Sequence, residues 1–62
     1  MLIREIERFL RKSRMPYSLF GRRAVNDPRF VHDLRNGREP GPKTEARVQA
    51  FMESHREYVH AN

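Results

Sequence analysis

The side chains with the most chemistry to offer in this sequence are its arginines. Thirteen basic residues, eleven of them arginine, stand against eight acids, giving a formal net charge of +5 and a pI near 10.8. A guanidinium presents a planar fork of donors that suits two phosphate oxygens, or the O6 and N7 edge of guanine, better than the point charge of lysine does. The excess is uneven. Residues 1–23 hold seven bases and two acids, residues 24–47 hold five and four, and residues 48–62 hold one and two. The first two-thirds of the chain therefore suits a polyanion, and the tail faces away from it. Charge alone leaves open a basic protein that binds no nucleic acid.

Other chemistries find little support. His32, His55 and His60 do not share a helical face, and with no cysteine there is neither a disulfide nor a thiolate to complete a metal site. No Ser/His/Asp set, paired carboxylates or phosphate loop stands out, so the expectation is a protein that is not an enzyme and takes no cofactor and no metal. The longest apolar runs are two or three residues, too short to span a bilayer. Arg4, Glu5, Glu7 and Arg8 interrupt what a signal peptide would keep apolar. The expected setting is cytoplasmic, associated with the nucleoid, with no membrane partner. The lack of cysteine suits such a reducing compartment.

These side chains need elements to hold them. The chain, residues 1–62, is short enough to be one domain, and such a chain buries only about 60% of its unfolded surface, so a partner subunit would help to stabilise it. Leu2, Ile3, Ile6, Phe9 and Leu10 recur at three and four, predicting an amphipathic helix over Leu2–Arg14. Glu5–Arg8 and Glu7–Arg11 are spaced to pair along it. Pro16 stops that helix and suits the first turn of a second, about Tyr17–Ala24, with Leu19, Phe20 and Ala24 inward. Asn26-Asp27-Pro28 is the clearest punctuation. Asp27 is a good cap and Pro28 a good first helical residue, predicting a third helix from Pro28 that Gly37 ends. Breakers fill 36–42. A fourth helix, about 43–59, carries Ala46, Val48, Ala50, Phe51, Met52, His55, Tyr58 and Val59 at helical spacing. No alternating run of β-branched residues predicts a strand.

Two short helices joined by a tight turn make a helix-turn-helix over residues 17–36. Gly21 and Ala24 let the backbones approach, Phe20, Val31 and Leu34 face inward, and Arg29, His32, Asp33 and Asn36 face outward. Phe20-Gly21-Arg22-Arg23-Ala24, the ungapped run Asp27 to Gly37, and Arg38-Glu39-Pro40 together resemble the lambda-repressor-like domain of Cro/cI-type regulators, the XRE family. With the flanking helices the resemblance covers nearly the whole chain. It implies an all-α fold of four to five helices. Two departures stand out. Val25 occupies the turn position where the family often has glycine, so the turn is expected to take another backbone path, and Tyr17 replaces a phosphate-binding glutamine.

Carried over by position, the resemblance implies base contacts at Pro28, Arg29 and Asp33, with Asp33 accepting from a cytosine amino group or orienting Arg29. Phe30 is a candidate for a thymine methyl, or else plain core, and His32 for base edges or backbone. Phosphate contacts are implied for Tyr17, Ser18, Arg22, Asn36, Arg38 and Lys43, with helix N-terminal amides adding to them. One recognition helix reads few base pairs, so a homodimer on a palindrome is expected, its seam at Phe51, Met52, His55, Tyr58 and Val59, unless these complete the core. The expected partners are double-stranded DNA, a second copy of the chain, and the transcription machinery or a regulator, as in phage, mobile-element and chromosomal regulators of this kind. Two other readings stand beside a sequence-specific transcriptional regulator: a protein–protein adaptor built on Phe30, Phe51, Tyr58 and Val59, and a sequence-tolerant architectural DNA binder.

Overall fold

The computed structural model describes residues 1–55. Among them four helices form and no strand: α1 (Leu2–Ser13), α2 (Tyr17–Val25), α3 (Phe30–Arg35) and α4 (Pro42–Ser54). Each boundary has a local cause. Arg14 takes the left-handed conformation at φ 59° and its N–H closes on the Leu10 carbonyl at 2.8 Å, which ends α1. The buried Ser13 then accepts the Met15 N–H on its Oγ at 3.2 Å. Pro16 is extended, and α2 starts directly after it. Gly41 precedes α4, with Pro42 at its first position, where a missing N–H costs nothing.

The core is built from every helix. Leu2, Ile6, Phe9 and Leu10 come from α1, Phe20 and Ala24 from α2, Phe30, Val31 and Leu34 from α3, and Val48 from α4. Three aromatic rings knit it together. Phe9 and Phe20 meet edge to face with centroids 5.5 Å apart, Phe20 and Phe51 at 5.3 Å, and Phe9 and Phe51 at 6.1 Å. Such pairs contribute about 0.5–1.5 kcal/mol each beyond the area they bury.

Several expectations need correction. The third helix begins at Phe30, two residues later than Pro28, because Pro28 and Arg29 belong to the turn that Asp27 closes. Leu19 is only half-buried, and Ala46 and Ala50 are exposed, leaving Val48 as the buried residue of α4. That helix closes at Ser54, and the remainder of the run expected to reach Val59 lies outside the described residues. Phe51 is half-buried and packs on Phe9 and Phe20 of its own chain, so its ring contributes to the core, the alternative to the expected dimer seam. His55 stacks on Phe51 at 4.3 Å and its Nδ1 lies 3.0 Å from the Phe51 carbonyl, so it edges the core. Met52 is half-buried against the core. The other two expected seam residues, Tyr58 and Val59, lie outside the described residues.

Candidate nucleic-acid interface

The α2–α3 junction positions the candidate site. Val25 is the last residue of α2, and the left-handed conformation the turn requires falls one residue later, on Asn26 at φ 57°. Asparagine tolerates that region where a β-branched residue does not, so the turn needs no glycine. The Asp27 N–H bonds the Gly21 carbonyl at 3.0 Å, folding the turn back onto α2. Asp27 then organises the entry to α3. Its Oδ1 accepts the Arg29 N–H at 3.0 Å and its carbonyl accepts the Phe30 N–H at 3.1 Å. The approach is close enough that a Cβ added at Gly21 would meet the Asp27 carbonyl oxygen at 2.3 Å and the Phe30 Cβ at 3.1 Å.

The outward side of this junction holds Pro28, Arg29, His32 and Asn36, all exposed, while Phe30, Val31 and Leu34 are buried behind it. Phe30 is fully buried, so it cannot reach a thymine methyl, and its expected base contact is withdrawn in favour of core packing. Arg29 makes no ion pair among the described residues and projects from the entry to α3. His32 and Asn36 hold one another across one helical turn. The Asn36 Nδ2 lies 3.1 Å from the His32 Nε2 and also donates to the His32 carbonyl at 3.1 Å.

Two expected contacts are redirected. The half-buried Asp33 carboxylate accepts from Arg38 at 3.1 Å and does not orient Arg29. Arg38 also reaches Asp27 at 3.3 Å, and its guanidinium lies 5.8 Å from the centre of the Phe30 ring. One arginine between two carboxylates leaves a local excess of negative charge. Arg38 is therefore a brace across the turn, in a place poorly suited to the phosphate contact expected of it.

Among the other expected phosphate contacts, Ser18 and Arg22 come together. With Pro16, Leu19 and Pro28 they line a shallow concavity where the start of α2 meets the start of α3. The first turn of α2 has no side-chain cap, so its amides stay available to an anion beside those two side chains. Tyr17 is exposed but covered on one face by Arg35, whose guanidinium sits 5.0 Å from the ring centre. Asn36 spends its amide on His32, and Lys43 is exposed in the first turn of α4, outside that concavity.

Arg35 escaped the sequence reading. It clasps Glu7 of α1 with both arms, Nε to Oε2 and Nη2 to Oε1, each at 2.7 Å. The hydrogen bonds from Arg35, opposed by a smaller burial effect and helped by the charges of Arg35 and Arg11, hold the Glu7 carboxyl below the ordinary glutamate range. Glu7 was expected to pair with Arg11, four residues on. No spacing rule points 28 residues ahead, so only the packing of α1 on α3 reveals its partner. Among the described residues no group of three or more histidines or acids is placed to hold a metal, and no helix is long and apolar enough to cross a membrane. Comparison with protein-family models, with curated proteins and with solved structures finds no match to this chain.

Proposed function

We propose that this chain is a lambda-repressor-like helix-turn-helix protein that binds double-stranded DNA, with the outward side of residues 28–36 lying in the major groove. The observation that carries the reading is Arg29, exposed and without an ion pair among the described residues, at the entry to α3 on a polar face continued by His32 and Asn36. Side chains near the start of a recognition helix reach base edges, and a bidentate arginine–guanine pair discriminates by about 1–3 kcal/mol. Asp27 holds the Arg29 backbone by a 3.0 Å bond, which fixes where that side chain begins. Ser18, Arg22 and the amides at the start of α2 supply phosphate contacts beside it, with Lys43 and the Tyr17 hydroxyl further out. A second copy on a palindromic site completes the proposal, since one six-residue helix spans few base pairs.

A second reading, sequence-tolerant DNA binding, is favoured by the loss of Phe30 and Asp33 as base readers. Selection of a preferred duplex from a random pool, followed by titration of that duplex and a scrambled one, separates the two. Arg29→Ala should weaken the selected duplex by about 5- to 150-fold, the equivalent of 1–3 kcal/mol, and the scrambled one far less. An equal loss on both duplexes would mean that Arg29 reads no base, and a protein that retards no duplex at low ionic strength would end the DNA reading.

A further inference from the structure

The outer face of α1 plays no part in the site described above, yet it holds a dense run of positive charge. Arg4, Arg8 and Arg11 recur at four and three along the helix, so they share one face, and all three are exposed. That face lies opposite the buried Leu2, Ile6, Phe9 and Leu10. The two acids of the helix are drawn to its flanks. Glu7 is clasped by Arg35 of α3 at 2.7 Å, and Glu5 accepts from Gln49 of α4 at 3.1 Å. Arg4, Arg8 and Arg11 line one shallow groove with Ile3 and the already neutralised Glu7, and Lys12 is exposed beside them. The packing has sorted charge, sending acids sideways to partners and leaving cations outward without an ion pair among the described residues.

We infer that this stripe is a second track for the DNA backbone, contacting phosphates of the bound duplex beyond those met by α2 and α3. The inference rests on the DNA reading above and assigns it a contact surface on a different helix. From Arg4 to Arg11 the stripe takes seven steps, about 10 Å of helix at 1.5 Å per residue, against one charge per about 3.4 Å of axis on a DNA strand, so about three phosphates match it. Arginine suits phosphate by its fork. A lipid surface fits less well, because the apolar face of α1 is committed to the core and has nothing to insert. The Glu7–Arg35 clasp ties a flank of this helix to the end of α3, the helix that carries the proposed base-reading face.

The test is the salt dependence of affinity for one duplex, measured with wild type, the triple variant Arg4→Ala, Arg8→Ala, Arg11→Ala, and the matching triple lysine variant. Losing three phosphate contacts should lower the slope of log affinity against log salt by about 2.7, at about 0.9 per contact. The loss should be equal for selected and scrambled duplexes, and the lysine variant should keep the wild-type slope. Arg47→Gln, which removes an exposed cation of α4, should leave the slope unchanged. Circular dichroism melting of each variant shows that it is folded, and the lysine variant carries the test if the alanine one is not: its slope must then match wild type while the triple glutamine variant loses about 2.7. A wild-type slope in the folded neutral variants overturns the stripe while leaving Arg29 and the DNA reading intact. Vesicles of phosphatidylserine that need these arginines, with the duplex slope unmoved, would assign the stripe to a lipid surface and also overturn it. A wild-type protein that binds no duplex overturns both readings together.

Discussion

Replacing Gly21 with alanine should destabilise this protein even though the position is inside a helix. In an exposed helix the change adds about 0.8–1.0 kcal/mol of propensity. Here the new Cβ would stand 2.3 Å from the Asp27 carbonyl oxygen and 3.1 Å from the Phe30 Cβ. The first of these is backbone, so it cannot swing aside as a flexible side chain would. Moving it disturbs the turn itself, including the 3.0 Å bond from the Asp27 N–H to the Gly21 carbonyl. Overpacking a tight contact costs about 1–3 kcal/mol, and a backbone neighbour places this one at the upper end. The net loss is then about 2 kcal/mol, which at about 4–8 °C per kcal/mol lowers the melting temperature of a domain this size by about 8–16 °C. Gly41→Ala is the control. No atom lies within 4 Å of its added Cβ, so the cost is only that of alanine for glycine at the N-cap of α4, less than about 1 kcal/mol of stability. Thermal unfolding followed by circular dichroism at 222 nm reads both variants. A Gly21→Ala protein that melts at or above wild type would refute the close approach of α2 to the turn, and with it the placement of Arg29.

Further expectations come from the same contacts. Phe30→Ala and Leu34→Ala should each lower stability, by about 3–5 and 2–5 kcal/mol respectively, because both side chains are buried. A folded Phe30→Ala protein of wild-type stability that loses only thymine discrimination would restore Phe30 to the interface. The Glu7–Arg35 clasp should contribute stability above the ordinary glutamate pKa and lose it as pH falls through the lower folded value, since the folded carboxyl is the stronger acid. Both side chains keep substantial exposure, 31% and 43%, so the contribution is about 0.2–1 kcal/mol. Glu7→Gln should flatten the acid limb of a stability–pH profile by that amount, and an unchanged limb would show the clasp to be inert. Asp33→Asn should strengthen binding to every duplex and steepen its salt dependence, because it releases Arg38 from one of two carboxylates and removes a negative charge near the phosphates. Weaker binding in gel retardation would instead make Asp33 a contact residue.

The helices were legible because their signals are local. Apolar residues at three and four placed Leu2, Ile6, Phe9 and Leu10 on one face, and Pro16, Asn26-Asp27-Pro28 and Pro42 marked where helices stop or start. The small residue needed at Gly21 was legible too, since a tight helix pair leaves no room for a Cβ. The exposure of Arg29, His32 and Asn36 agreed with the same periodicity. Tertiary packing decided the rest. It made Phe30 core, where its spacing from Asp27 fitted either face of a helix that starts two residues later than the sequence suggests. It gave Glu7 to Arg35 over Arg11, because a bidentate pair between helices outweighs a helical i, i+4 pair worth a few tenths of a kcal/mol. It set Arg38 between Asp27 and Asp33, and it turned Phe51 onto Phe9 and Phe20. Periodicity and caps act within one or two turns of chain, whereas the partner of a charge or ring is whatever the packed helices bring near it.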